Sequence, residues 1–159
     1  MNRLLAHHVL QEMKGIGVTE LCLCPGGRNS PFVSLLSETK VFCCRYWFEE
    51  RSAAFFALGR SRRLEQPVAV ITTSGTAAGE LLPAAMEAYY SGVPLLAVTA
   101  DRPRRFRGTG APQTAEQAGL FGPYVLFSQD LEGEERCEIS KWRQLGPAHL
   151  NVCFEEPFI

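Results

Sequence analysis

Lysine is scarce in this sequence and aspartate scarcer still. Only Lys14, Lys40 and Lys141 carry an ammonium, only Asp101 and Asp130 are aspartates, and 16 basic against 17 acidic residues leave a net charge of -1. So even a balance excludes a global positive field, and binding to nucleic acid or an anionic membrane through bulk charge is not expected. Long hydrophobic runs are missing as well: Gly and Pro interrupt every apolar stretch, which argues against a membrane-spanning helix. Met1 to Val18 scatters charged and imidazole side chains and has no basic start followed by an apolar block, so it does not read as a secretion signal. A soluble cytoplasmic protein is expected.

Cysteine is present six times, yet no Cys-x-x-Cys pair occurs: Cys22 and Cys24 are one residue apart, Cys43 and Cys44 are adjacent, and Cys137 and Cys153 stand alone. That spacing cannot grip a tetrahedral ion, and reduced thiols packed as small hydrophobes are expected. The phosphate loop G-x-x-x-x-G-K-[ST] is absent, and Gly108-Thr-Gly110 follows a loop and lacks the third glycine of the dinucleotide fingerprint. His7, His8 and His149 accompany no serine or cysteine nucleophile motif, so a Ser-His-Asp triad is not expected.

What is there suits one domain with a substantial core: 159 residues, 46% apolar and 10% aromatic. Short apolar strands over Glu20 to Cys24, Val41 to Trp47, Pro67 to Thr72 and Pro94 to Thr99 alternate with helices over Asn2 to Lys14, Pro31 to Ser37, Glu49 to Arg62 and Ser74 to Tyr90. VAVIT and LLAVT are apolar on both faces, as a parallel sheet covered on either side requires. The unbroken apolar run Ala53 to Leu58 predicts a helix buried on more than one face. Val125 to Ser128 and His149 to Phe154 read as further strands, joined through Leu131 to Pro147 by a short crossing with a helix near Glu134 to Trp142. The expected architecture is α/β: an open parallel sheet of about six strands with helices on both faces.

Ligands of such sheets collect at the carboxyl ends of the strands, and four polar loops converge there: Cys24 to Pro31, Phe48 to Ser52, Thr72 to Ala77 and Thr99 to Pro103. Thr73-Ser-Gly-Thr76 opens a helix, so its backbone N–H groups either meet an anion or polar heterocycle or are capped by Thr73 or Ser74. Glu49 and Glu50 start a helix, where each carboxylate is explained equally by the helix dipole or by proton exchange with a ligand nitrogen. Thirteen of the sixteen basic residues are Arg, whose planar fork suits carboxylates and phosphates. Arg28 and Arg102 each follow a strand directly and are the favoured forks, whereas Arg104, Arg105 and Arg107 read as a solvated loop.

In order, CPGGRNSP, FEERSAAFFALG, PVAVITTSGTAA, EAYYSGVPLLAVTADRP, GAPQT, GLFG and GPAHLNVCFEEP follow one another along nearly the whole chain. This series resembles the N-terminal, pyrimidine-binding (PYR) domain of the 2-succinyl-5-enolpyruvyl-6-hydroxy-3-cyclohexene-1-carboxylate synthases of menaquinone biosynthesis, the MenD family. The resemblance implies thiamine diphosphate and Mg²⁺ as cofactors, with 2-oxoglutarate and isochorismate as substrates of a transferase. By position in FEERS, Glu50 matches the glutamate that hydrogen-bonds N1′ of the cofactor's aminopyrimidine. Thr73, Ser74, Gly75 and Thr76 match the lining of that pyrimidine, and Arg28, Arg102 and Gln113 match positions that handle substrate carboxylates and hydroxyls.

The sequence departs from the family where Gly27 replaces the serine of CPGSR, where Pro112 replaces the asparagine of GANQ, and in the shorter segment Leu131 to Pro147. The resemblance further implies a central domain and a diphosphate-binding (PP) domain that are missing from these residues. A GDG motif and a downstream Asn hold the metal on the PP domain, so no metal ligand is assigned here. Residues 1–159 are accordingly expected to be one PYR domain that needs a PP-bearing chain to act and assembles as a homo-oligomer. A non-catalytic binding or regulatory module descended from the enzyme, or a subunit of another thiamine-dependent lyase, are the competing expectations.

Overall fold

The computed structural model describes residues 1–156. Its elements are α1 (Asn2–Gly15), β1 (Glu20–Leu23), α2 (Ser30–Glu38), β2 (Cys43–Tyr46), α3 (Glu50–Leu64), β3 (Val68–Thr72), α4 (Thr76–Gly79), α5 (Leu82–Ser91), β4 (Leu95–Asp101), β5 (Phe127–Glu132) and β6 (Ala148–Cys153). The six strands form one sheet in the order β2-β1-β3-β4-β6-β5, every pair parallel. All strands therefore end at the same edge, where the four polar loops converge.

Alternating strand side chains divide the core in two. Leu21, Leu23, Ile71, Leu96, Val98, Leu150 and Val152 meet α1 and α2 on one face of the sheet. Cys22, Cys24, Val68, Val70, Leu95 and Ala97 meet α3 and α5 on the other. The second face is lined by small residues: Ala53, Ala54 and Ala57 of α3 and Ala84, Ala85 and Ala88 of α5 are all fully buried, which lets both helices approach the strands closely. Four of the six cysteines are buried and none is in a disulfide. Burial pushes the Cys22 and Cys137 thiols up to about 11, so they act as packing groups.

Several boundaries differ from the sequence reading. The helix expected over 74–90 is two helices, because Pro83 lies in the first turn of α5, has no N–H to give, and its ring crowds the carbonyl four residues back. Helix α3 is buried on one face only, with Phe55 43% exposed, since the far side of α3 meets no further layer among the described residues. Strand β5 begins at Phe127 and runs on to Glu132; its polar residues sit on a half-exposed edge, so the apolar pattern that marks central strands is weak there. Between β5 and β6 only one turn of 3-10 helix forms, Ile139–Lys141. The last residue of the GPAHLNVCFEEP motif, Pro157, lies outside the described residues. No helix among the described residues is long and apolar enough to cross a membrane.

Candidate functional site

The loop after β1 is held by its own asparagine. Asn29, fully buried, accepts the Gly26 N–H through Oδ1 at 2.8 Å and donates from Nδ2 to the Cys24 carbonyl at 2.9 Å. It is also the residue before α2, yet its side chain stitches the loop and does not cap the helix. Gly26 is required where it stands: a Cβ there would come within 2.5 Å of Thr73 Cβ. Thr73 in turn accepts the Arg28 N–H through Oγ1 at 3.2 Å, so the turns after β1 and β3 are joined.

The turn after β3 is equally determined. Gly75 takes φ +79°, and a Cβ on it would lie 2.8 Å from the Gln113 carbonyl group. Gln113 itself is left-handed, φ 51°, held by Ser74 Oγ and Arg102 Nη1, each donating to its carbonyl at 3.0 Å, while its own Nε2 donates to the Ser74 carbonyl at 3.2 Å. The capping reading of the Thr73 to Thr76 turn does not hold, and one of the turn's N–H groups is already taken. Thr73 and Ser74 do not cap α4, and the Gly75 N–H points inward to Gln117 Oε1 at 2.8 Å and is closed to a ligand.

The arms of these loops enclose one cavity of about 290 Å³, lined by Gly27, Arg28, Thr73, Ser74, Arg102, Gln113 and Glu156. Five residues singled out from the sequence, scattered between positions 28 and 113, thus line one cavity. Arg28 is 5% exposed; its guanidinium donates to the Phe154 carbonyl at 3.2 Å and pairs with Glu156, whose carboxyl is held below its usual range by that contact. Arg102 is half-buried, and of its guanidinium nitrogens only Nη1 donates to described residues, to Gln113 and Ser74. Gly27 has open space where a Cβ would stand, so the missing serine is a loss of a polar group and not of room. Gly75 and Thr76 are not in the lining; Gly75 is buried beneath it and Thr76 is exposed at the start of α4.

Glu49 and Glu50 stand at the neighbouring strand end, after β2. Glu49 is the N-cap of α3, φ -120° and ψ 122°, and its carboxylate accepts the N–H groups of Arg51 at 3.0 Å and Ser52 at 2.7 Å. Those bonds, Ser52's foremost, hold its carboxyl below the usual range. Glu50, one residue on and half-buried, has a carboxylate that makes no hydrogen bond or ion pair with any described residue. It lies near Cys24, whose thiol is pushed up to about 12 by burial first and by the Glu50 carboxylate second. Of the two adjacent carboxylates, geometry leaves Glu50 available to a ligand.

Of Arg104, Arg105 and Arg107, Arg105 is solvated as expected, whereas Arg104 and Arg107 are partly buried in ion pairs. Arg104 pairs with Asp130 at 2.7 Å and Glu135 at 2.6 Å, Arg107 with Asp130 at 2.7 Å, and Arg105 with Glu155; Asp130 lies on β5, Glu135 just after it and Glu155 just after β6. Asp130 is driven up by burial, but the bonds from Arg107, Asn151 and Arg104 outweigh it and leave the carboxyl at about 2. Gln117, Asn151 and Glu156 escaped the sequence reading. Gln117 lies between the GAPQT and GLFG motifs and Asn151 and Glu156 lie within GPAHLNVCFEEP, where nothing local sets them apart and only their contacts in space mark them. Among the described residues no group of His, Cys, Asp or Glu is placed to hold a metal ion.

Chains of known identity bear on this edge. The chain is 53% identical over 161 residues to 2-succinyl-5-enolpyruvyl-6-hydroxy-3-cyclohexene-1-carboxylate synthase of Bdellovibrio bacteriovorus, covering 99% of this chain and 30% of that one. It is 49% identical over 144 residues to the synthase of the same name from Akkermansia muciniphila, covering 89% and 27%. The chain thus spans about 30% of the length of the curated relatives it matches. Benzoylformate decarboxylase from Polynucleobacter necessarius shares the fold with a TM-score of 0.79 at 21% identity, over 94% of this chain and 29% of that structure. Thiamine diphosphate-dependent 4-hydroxybenzoylformate decarboxylase from Rhodococcus jostii does so with a TM-score of 0.75 at 18% identity, over 94% and 30%. Residues 3–120 match the family described as thiamine pyrophosphate enzyme, N-terminal TPP binding domain, and the chain belongs to that family.

Proposed function

We propose that this chain is the pyrimidine-binding part of a cytoplasmic 2-succinyl-5-enolpyruvyl-6-hydroxy-3-cyclohexene-1-carboxylate synthase, a transferase acting on 2-oxoglutarate and isochorismate. The observation that carries the reading is the convergence of Arg28, Thr73, Ser74, Arg102 and Gln113 on one strand-end cavity, with a Glu50 carboxylate that has no partner among the described residues at the adjacent strand end. The 53% identity to a synthase of that name supports the choice of reaction.

The pyrimidine side of thiamine diphosphate fits these residues. Glu50 would hold a proton at N1′ of the aminopyrimidine, and Thr73 to Thr76 would form the turn against which the ring rests. When bound, the cofactor supplies an electron sink for the carbanion left by decarboxylation of a 2-oxo acid. Arg102, with a guanidinium edge left over after it grips Gln113, orients a substrate carboxylate, and Gln113 turns toward hydroxyls. Arg28 contributes positive charge to the same wall while tethered to Glu156. Among the described residues no cluster of oxygen ligands is placed for Mg²⁺, and the family resemblance would put the metal and the diphosphate on a PP-bearing unit. Half of each active site would then come from that unit, and a homo-oligomer of complete protomers is the natural assembly.

The test is reconstitution. The chain, assembled with a PP-bearing unit and given thiamine diphosphate, Mg²⁺, 2-oxoglutarate and isochorismate, should release CO₂ and form the succinyl adduct, and Arg102→Ala should raise the KM for substrate about tenfold or more. Decarboxylation without transfer to isochorismate would point to another thiamine-dependent lyase. Cofactor binding with no turnover would favour a non-catalytic module.

A further inference from the structure

Gln117 has no part in the site just described, yet it is fully buried beneath it and its side chain makes three hydrogen bonds. Its Oε1 accepts the Gly75 N–H at 2.8 Å; its Nε2 donates to the Ala100 carbonyl at 3.2 Å and to Asn151 Oδ1 at 3.0 Å. Asn151, also fully buried, has every position of its amide filled. Its Oδ1 accepts from Gln117 and from Thr99 Oγ1 at 2.9 Å, and its Nδ2 donates to Asp101 Oδ2 at 3.0 Å and to Asp130 Oδ1 at 2.7 Å. Asp101 closes the path, since its Oδ1 accepts the Arg102 N–H at 2.7 Å.

An unbroken line of hydrogen bonds therefore runs from the Gly75 N–H, under the cavity floor, to the backbone from which Arg102 projects. Filling space at position 117 would need only an apolar side chain. An amide is needed because this one point must satisfy a buried donor on one side and two buried acceptors on the other, each costly if left unmade.

We propose that Gln117 is a positioning residue that holds the two walls of the cleft in register, fixing the Thr73 to Thr76 turn through Gly75 and the Arg102 wall through Asn151 and Asp101. The inference rests on the cofactor reading above, in which the first wall faces the pyrimidine and the second the acid substrate. Its two arms leave from different atoms and are separable. Gln117→Met keeps the volume and removes both. Gln117→Glu keeps an acceptor facing Gly75 but cannot make both Nε2 donations.

In the assembled protein, Gln117→Met should weaken thiamine diphosphate binding measured by calorimetry, and raise the KM for 2-oxoglutarate, each on the order of tenfold, as expected for a buried hydrogen bond lost from the walls. Gln117→Glu should restore cofactor affinity to within about twofold of the parent while KM stays raised. Hydrogen exchange gives a readout free of the cofactor: the Gly75 amide should lose protection with Met at 117 and keep it with Glu. A folded Gln117→Met protein with unchanged affinity, KM and Gly75 protection overturns the proposal. So does equal damage by both variants to affinity and KM, which marks a general packing role; if the Met variant does not fold, the Glu variant's split between affinity and KM decides alone. A parent protein that binds no thiamine diphosphate, while Gly75 protection still depends on residue 117, upholds the tether and sinks the cofactor reading instead.

Discussion

Two neighbouring glutamates of equal charge have different tasks because a helix needs only one cap. The extended backbone at Glu49 turns its carboxylate onto the first free amides of α3, while Glu50, already helical, is left facing the strand ends. Glu49→Ala should therefore lower the melting temperature by about 2–4 °C and leave cofactor affinity unchanged, as a thermal melt and a binding titration would report. A place at a helix start could not separate the pair, because acidic residues favour any helix N-terminus; only the resemblance, through FEERS, singled out Glu50. Arg28, Arg102 and Gln113 were legible through motif order. Gln117 and Asn151 were not, since a buried amide has no periodicity and is defined by partners up to 52 residues away, as Thr99 is from Asn151.

At the scale of elements, adjacent glycines after β1 show how a turn divides its roles. Gly26 has Thr73 pressed against it and Gly27 faces the cavity with open space. Gly26→Ala should prise the β1 and β3 turns apart and destabilise the fold, whereas Gly27→Ser should be neutral in stability to within about 0.5 kcal/mol by denaturant titration. Strand β6 carries a buried His149, which faces Thr99 Oγ1 at 2.7 Å and whose basicity burial depresses to about 3, offset slightly by Asp130. Unfolding frees this imidazole to take a proton below its ordinary pKa of about 6.5. The neutral folded form therefore contributes fully above that value and is progressively outcompeted as pH falls from about 6.5 toward 3, by at most about 1.4 kcal/mol per pH unit. His149→Gln should flatten that decline in stability between pH 6.5 and 4, measured by urea unfolding. The central strands were legible because both faces are apolar, as in VAVIT and LLAVT. The polar edge strand β5 and the break before Pro83 were less so, one set by its place in the sheet and the other by a residue that permits either a helix start or a kink.

For the whole molecule, an all-parallel sheet gathers arginines, a carboxylate and two tight turns at one edge but supplies no ligand cluster for a metal among the described residues. Charge near zero leaves recognition to these placed groups and not to a general field. In the proposed function the Glu50 carboxylate would serve the cofactor's pyrimidine in a cleft completed by a PP-bearing unit. Proton exchange at C2 of bound thiamine diphosphate, followed by NMR in the assembled protein, tests it most directly. Glu50→Gln should slow that exchange by about a hundredfold or more while the cofactor remains bound; equal rates in the two proteins would contradict the account.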